Sequence, residues 1–445
     1  MSYYANDFIV ENKDNLISYL QSGEKPKKDF RIGTECEKIP FFIKDFSSVP
    51  YFGDRSISAI LKELRERLGW TPILDAGNII GLYQPGGSSI SIEPGGQLEL
   101  SSAPFKNLDE TAKNLAEYTK LVDDIAGNMG INFLSIGVNP LLSVDEVEKM
   151  PKSRYSIMRK YMPKVCNLGL DMMFRTATVQ VNLDYYSEID MRKKMQISMK
   201  LQPLATALFA SSPFALGKDS GYQSLRASIW RGTDPSRTGL LPFVWSKDFG
   251  YADYVNWALG VNMYFIIRDG KYIDCTSITF EEFLKNGYEG HRATLEDFID
   301  HLSTVFPEVR LKTYIEMRGS DAGPKDMLLA KPAFWVGLLY DDNCLDEIYD
   351  FVSDWGFEEV NHLLLEVSKS GLEATFRDKK LNDIAKEILA ISKQGLLSRQ
   401  LGEEQYLLPL ERIVDTGRNV AQIMLDKYYN EWQENVSPVF EEYKL

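Results

Sequence analysis

The chain has 445 residues, 44% of them hydrophobic and 26% charged, the composition of a globular protein with room for one large domain or two to three ordinary ones. Its net charge of −14 and pI near 5.0 argue against nucleic acid or an anionic membrane as a partner for the surface as a whole. An anionic substrate stays open only where cations are gathered locally to receive it.

In chain order, residues 12–21 read as a short helix, followed by a Gly/Lys/Pro connector. Residues 31–42 (RIGTECEKIPFF) read as a strand carrying Glu35 and Glu37 with one residue between them. Strand side chains alternate, so both carboxylates face the same way while Cys36 faces the other. Like charges side by side repel, which suits either a wet face or a bound cation. Residues 56–68 have helical spacing and end at Gly69. Strands at 79–83 and 88–93 flank the turn Gln84-Pro85-Gly86-Gly87, and Pro94-Gly95-Gly96 makes a second turn. Residues 97–102 alternate, with Gln97, Glu99 and Ser101 on one face and Leu98 and Leu100 on the other.

A long helix at 108–129 and a strand at 131–138 follow, then a basic helix at 152–165. The strand expected at 174–184 puts Thr176, Thr178, Gln180, Asn182 and Asp184 opposite Ala177, Val179, Val181 and Leu183. A helix is expected over 188–209, an Arg-bearing loop over 224–239, and a hairpin from 261–267 and 271–275. One strand over 310–318 would set Tyr314, Glu316 and Arg318 on one face. From about 332 the pattern is helical. The fold class expected is α+β: an antiparallel sheet with one polar, concave face, helices on the other side and a helical C-terminal third.

No apolar run approaches the roughly 18 residues that span a bilayer. The N-terminus lacks a basic region followed by an apolar one, and the four cysteines are scattered, so the expected compartment is the cytoplasm.

Set side by side, the polar strand faces bring Glu35, Glu37, Glu93, Glu99 and Glu316 together with Gln180 and Asn182. Such a cluster would hold protons unless hard divalent cations relieve it, with Mg²⁺ bridging to phosphates the usual case. Three histidines and separated cysteines disfavour a soft-metal site. Lys38, Arg175, Arg226, Arg231, Arg237 and Arg318 lie close in sequence to the same strands, and Arg is suited to gripping carboxylate or phosphate. There is no G-x-x-x-x-G-K-[ST] loop and no G-x-S-x-G elbow. Residue types alone therefore predict a metal-dependent enzyme handling a nucleotide and a carboxylic acid.

Seven segments resemble glutamate–cysteine ligase of the plant and proteobacterial type: IGTECEK at 32–38, SIEPGGQLELSSAP at 91–104, MPKVCNLGLDMMFRTATVQVNLD at 162–184, LQPLATALFASSPF at 201–214, IWRGTDPSRTG at 229–239, FPEVRLKTYIEMRGSDAGP at 306–324 and PAFWVGLLYDD at 332–342. The resemblance runs collinearly from about residue 30 to the C-terminus. It implies a carboxylate–amine ligase with a glutamine-synthetase-like sheet, one catalytic domain over 1–445 with an N-terminal helix and connector (1–29), a sheet-bearing core (30–330) and a mainly helical remainder (331–445). It implies ATP-dependent joining of the γ-carboxylate of glutamate to the amine of cysteine through γ-glutamyl phosphate, the first step towards glutathione.

On the family's pattern Glu35, Glu37, Glu93, Glu99, Glu316 and Gln180 hold two or more Mg²⁺ ions, with Asn182 on the same face. Arg318 and Lys38 would attend the transferring phosphoryl group. Arg226, Arg231 and Arg237, with Trp230 as a wall and Arg175 nearby, would take substrate carboxylates. The partners implied are small molecules, on a monomer or homodimer, with neither nucleic acid nor membrane. A sister ligase for another amine and a non-catalytic homologue are the rivals.

Cys36 stands where the family usually has His, and a packing role is expected because it faces away from the carboxylates. Cys275 lies where one redox-control cysteine of the plant enzymes falls, but 286–291 offers no partner, so that switch is expected to be absent. No plastid transit segment is seen, and a bacterial cytoplasmic enzyme is expected.

Overall fold

The computed structural model describes residues 8–445; the first seven residues, part of the stretch read above as free of an export signal, lie outside them. A nine-stranded sheet organises the chain around its longest strand, β1 (Ile32–Phe42). The others in its first half are β2 (Thr71–Asp75), β3 (Asn78–Tyr83), β4 (Ser89–Ile92), β5 (Leu98–Ser101), β6 (Ile131–Leu134) and β7 (Val179–Leu183). Edge to edge the order is Val309–Leu311, Ile315–Met317, β7, β1, β5, β4, β3 and β2, with every neighbouring pair antiparallel. The length of β1 lets its first half sit between β7 and β5 while Ile39–Phe42 pairs with β6.

Register decides which side chains share a face. Glu35 lies opposite both Gln180 and Ser101, Glu37 opposite Glu99, and Asn182 opposite Gly33 and Glu316. These residues therefore line one face, since directly paired strand residues project to the same side. Gly33 makes room there: a Cβ at that position would stand 3.1 Å from Asn182 Cβ. Cys36, Leu98, Leu100, Val179, Val181, Ile315 and Met317 turn the other way, into the main core.

After an N-terminal helix, α1 (Lys13–Gln21), that apolar face is covered by α2 (Ile57–Leu68), α3 (Leu108–Asn128) and the helix Met327–Leu339. Ser56 caps α2 by accepting from the Ala59 N–H at 3.2 Å, and Gly69 ends it at φ 67°. Its buried residues Ile57, Ile60, Leu61 and Leu64 recur at the spacing of one helix face. The helix Met327–Leu339 has no solvent face; Phe334 and Trp335 are wholly buried. The helix Leu381–Ser398 approaches it through glycine: a Cβ on Gly395 would fall 1.8 Å from the Gly337 carbonyl oxygen. Among the described residues no helix is long and apolar enough to cross a membrane.

Several expectations change. The stretch 310–318 is a tight hairpin rather than one strand, with Arg310 opposite Glu316. The turn preserves side-chain alternation, so Glu316 still reaches the polar face. Phe174 and Arg175 end a short helix, α5 (Gly169–Arg175), because Met172, Met173 and Phe174 bury together before the strand begins. The helix expected over 188–209 divides at Leu201 into α6 (Glu188–Lys200) and α7 (Gln202–Leu208), where Pro203 fits a first turn but not a helix interior. The Arg-bearing loop contains a helix, α8 (Leu225–Arg231). Helices also lie on both sides of the sheet. With α4 (Ser153–Val165), α5 and α8 bury a second apolar cluster, including Tyr155, Met158, Met172 and Ile229, part of which lines a cavity beside the polar face.

Gly395→Ala should lower stability by about 2 kcal/mol or more, because a methyl has no space against the Gly337 carbonyl and overpacking outweighs the gain of up to about 1 kcal/mol in helix propensity. Denaturant midpoints check this; an unchanged or raised midpoint would contradict the contact.

Candidate active site

The centre of the polar face is a pair of opposed carboxylates, Glu37 on β1 and Glu99 on β5. Burial, then the charges of Glu99 and Glu93, hold the Glu37 pKa well above the usual carboxylate range, although the Thr178 N–H donates to it at 2.9 Å. Burial and the neighbouring Glu35 and Glu93 push Glu99 up to about 8. Glu35 is fixed differently: Gln180 Nε2 donates to one oxygen at 3.0 Å and Asn182 Nδ2 to the other at 2.8 Å. The two amides thus fix the orientation of this side chain on the polar face.

Cations ring this acid. Arg318 donates to Gln180 Oε1 and, at 2.8 Å, to Glu316. From the opposite edge of the site come Lys152, Arg154 and Tyr155. Arg154 lies 3.9 Å from Glu93; burial alone would lower its pKa, but Tyr155 and Glu93 hold it raised. Lys152 Nζ donates to the Ile92 carbonyl and the Tyr155 hydroxyl, both at 3.2 Å, and burial with the adjacent Arg154 brings it down to about 7. Between these groups opens a cavity of about 90 Å³ lined by Glu37, Glu93, Arg154, Trp230, Phe306 and Arg318, with Met158, Met172 and Met173 along one wall.

Helix α8 closes the site. Arg226 and Trp230 stand together, the guanidinium 5.2 Å from the ring, and Arg318 lies 6.0 Å from the same ring. Arg226 Nη2 donates to the Arg318 carbonyl at 3.2 Å. Its Nε, like Trp230 Nε1 and Asn182 Oδ1, is buried without a hydrogen-bond partner. Buried polar atoms are nearly always paired, so these mark where a ligand or water is wanted.

The structure therefore brings together Glu35, Glu37, Glu93, Glu99, Gln180, Asn182, Arg226, Trp230 and Arg318 from the sequence reading. It moves others elsewhere. Lys38 has the parity of Cys36, not of Glu37, and lies on the helix-covered face over the Tyr118 and Phe133 rings at 4.7 and 5.5 Å. Burial pulls its pKa down to about 8, and it cannot reach a phosphoryl group on the other face. Arg237 is wholly buried and fully engaged, by Asp234 at 2.7 Å and the carbonyls of Thr304 and Asn262 at 3.1 and 2.8 Å, so it is a structural ion pair rather than a substrate ligand. Arg175 pairs with Asp171 at 2.5 Å and the Asn139 carbonyl at 3.4 Å, a local tie at the end of α5. Arg231 reaches Asn361 at 3.1 Å.

Glu316 faces the site, but Arg310 at 2.7 Å, Arg318 at 2.8 Å and Lys312 at 3.6 Å share its two oxygens. Burial alone would raise its pKa; these cations hold it well below the usual range. A wholly buried carboxylate engaged by three cations anchors Arg318 here, which argues against the metal-ligand role expected for it. Lys152, Arg154, Arg310 and the buried acid Glu308, which faces Arg226, Arg231 and Arg318, were not singled out from sequence. The basic start of the helix at 152–165 and the matching parity of Arg310 and Glu316 were the available signals. Cys36 is buried, its thiol pushed up to about 12 by burial, in keeping with a packing role, and all four cysteines are unpaired.

A family model described as glutamate-cysteine ligase family 2 matches residues 31–442. Glutamate–cysteine ligase A, chloroplastic, of Oryza sativa subsp. indica is 48% identical over 433 residues, covering 97% of this chain and 87% of that one. The chloroplastic glutamate–cysteine ligases of Medicago truncatula and Arabidopsis thaliana are 48% and 47% identical, covering 97% of this chain and 84% and 82% of theirs. Their names place those relatives in the chloroplast, so the cytoplasmic expectation draws no support from them. The crystal structure of glutamate–cysteine ligase from Francisella tularensis in complex with AMP shares the fold, with a TM-score of 0.55 over 92% of this chain and 86% of that one at 14% identity. With the family model spanning 31–442 and relatives about half identical across nearly the whole chain, the protein belongs to glutamate-cysteine ligase family 2.

Proposed function

We propose that this face performs the ligation after which the family is named, joining the γ-carboxylate of glutamate to the amine of cysteine with ATP as the activating reagent. The observation that carries the reading is the opposed pair Glu37 and Glu99, whose pKa values burial and neighbouring carboxylates raise, with Arg318, Arg226, Arg154 and Lys152 around it. A carboxylate is a poor electrophile, and its activation as an acyl phosphate demands positioning and charge neutralisation more than covalent help.

The donor set fits magnesium. All its candidate ligands are oxygen atoms, and the excess negative charge is what a hard cation relieves. Among the described residues no three His, Cys, Asp or Glu side chains are arranged to hold an ion by themselves. Mg²⁺ bound here would therefore depend on waters and the nucleotide's phosphates as well as on protein carboxylates. Glu35, Glu37, Glu93 and Glu99 would hold it, and it would neutralise charge on the nucleotide's phosphates.

The chain's own residues supply the rest. Gln180 and Asn182 orient Glu35, while Glu316 and Gln180 hold Arg318 where phosphoryl charge develops. Arg226 Nε and Trp230 Nε1 offer free donors to a substrate carboxylate, and the methionine wall excludes water from the acyl phosphate. The cysteine amine then attacks, and the departing phosphate takes its proton. Residues 30–330 carry the site, and 331–445 support the sheet from behind within one catalytic unit.

Purified protein given Mg²⁺, ATP and glutamate should release ADP in step with γ-glutamylcysteine when cysteine is added, and other amines should turn over poorly. No ADP release would favour a non-catalytic homologue, and equal use of another amine would favour a sister ligase. Glu35→Gln and Glu99→Gln should each lower kcat at least about 100-fold with the fold retained by circular dichroism. Ordinary turnover would remove that residue from the site.

The pH dependence has a definite sign. Glu99 has a pKa of about 8 in the fold and about 4.3 when unfolded. Between these values the folded chain holds the extra proton, so this group's stabilising contribution falls as pH rises. In chelator, wild-type stability should decline relative to Glu99→Gln from about pH 5 to about pH 8. A constant or opposite difference would contradict the raised pKa.

A further inference from the structure

Helix α8 carries Arg226 and Trp230, yet it is short and begins in a loop, so something must fix its position. The groups that do so converge on one residue outside the polar face. Asp321 is buried, 3% exposed. Ser224 donates to its Oδ1 at 2.8 Å; the Ser211 N–H at 2.9 Å and the Ser212 hydroxyl at 2.6 Å donate to its Oδ2. Ser224 Oγ in turn accepts from the Ala227 N–H at 3.2 Å, capping α8, and Ser212 Oγ accepts from the Arg226 N–H at 3.2 Å. The backbone of Asp321 bridges Thr178, whose N–H donates to Glu37.

The surroundings are cut to fit this carboxyl. A Cβ on Gly137 would lie 2.4 Å from its carboxyl carbon, so the chain approaches there only through glycine. The Arg226 guanidinium feels the charge of Asp321 ahead of those of Glu308 and Glu37. One residue thus joins the segment after α7 and the first turn of α8 through its side chain and the edge of β7 through its backbone.

We propose that Asp321 is the positioning residue for substrate-carboxylate recognition: by gathering Ser211, Ser212 and Ser224 it sets α8 so that Arg226 and Trp230 aim their free donors at the carboxylate face. This rests on the ligase reading above. A shift of the order of 1 Å in a binding group can cost about 100-fold in rate, so modest slackening of α8 should register in kinetics.

The test compares wild type with Asp321→Asn, which keeps the shape but loses the charge, and Ser224→Ala, which removes only the cap. KM is measured separately for glutamate, cysteine and ATP, alongside kcat and the melting temperature. KM for one amino acid should rise about tenfold or more in Asp321→Asn and less in Ser224→Ala, while KM for ATP changes less than about twofold. A lower melting temperature with every KM unchanged, or KM for ATP rising in parallel, would reduce Asp321 to a fold residue and overturn the proposal. A crystal structure of Asp321→Asn reads the geometry without relying on turnover: Arg226 and Trp230 displaced relative to Glu37 supports the proposal, and an unmoved α8 refutes it. Absence of ligation by the wild type would instead strike the functional reading.

Discussion

Repulsion between Glu37 and Glu99 is the constraint around which the molecule is arranged. Antiparallel pairing puts them directly opposite on adjacent central strands, with Glu35 one step along and Glu93 at the end of β4. Two unit charges about 4 Å apart interact by roughly 4 kcal/mol at the effective dielectric of a partly screened protein site. Water is only partly available to relieve it, because α4, α5 and α8 partly cover that side. The structure answers with protons on the acids and a surrounding ring of cations. A sheet face of this kind is poised to exchange protons for a harder positive charge.

The cations are not equivalent. Glu316 spends its charge holding Arg310 and Arg318, so Arg318 arrives at the site oriented and partly neutralised. Planar guanidinium is suited to such a role, since one edge can be tied down while another is presented. Lys152, by contrast, is tied through carbonyl and phenol oxygens and sits near its titration point. Arg226 is anchored from behind through the Asp321 serine cluster, and it leaves Nε open. Arg318 is thus oriented by Glu316 and Gln180, which do not line the cavity, whereas Lys152 leans on Tyr155, which does.

The helical third acts at a distance through the sheet. Lys331, buried in the helix Met327–Leu339, donates to the Val179 carbonyl on β7 from the core side. Burial lowers its pKa well below the usual lysine value. Close glycine contacts then lock that helix to Leu381–Ser398, so the strand carrying Gln180 and Asn182 rests on a tightly packed support.

Residue order by itself determined the chemistry on the polar face, because strand alternation is a local rule. The parity of Glu35, Glu37, Glu99, Gln180, Asn182 and Glu316 follows from it, and survives even where 310–318 folds back as a hairpin. The same rule placed Cys36 away from the carboxylates and, applied consistently, would have sent Lys38 to the helix-covered face as well. Tertiary structure alone decided which cations are free. Arg237 looks like Arg226 in sequence, but burial against Asp234 consumes it, while Lys152 and Arg154 reach the site from the start of a helix packed across the sheet. Whether a charged group is spent or available depends on partners distant in the chain, and no local pattern records that.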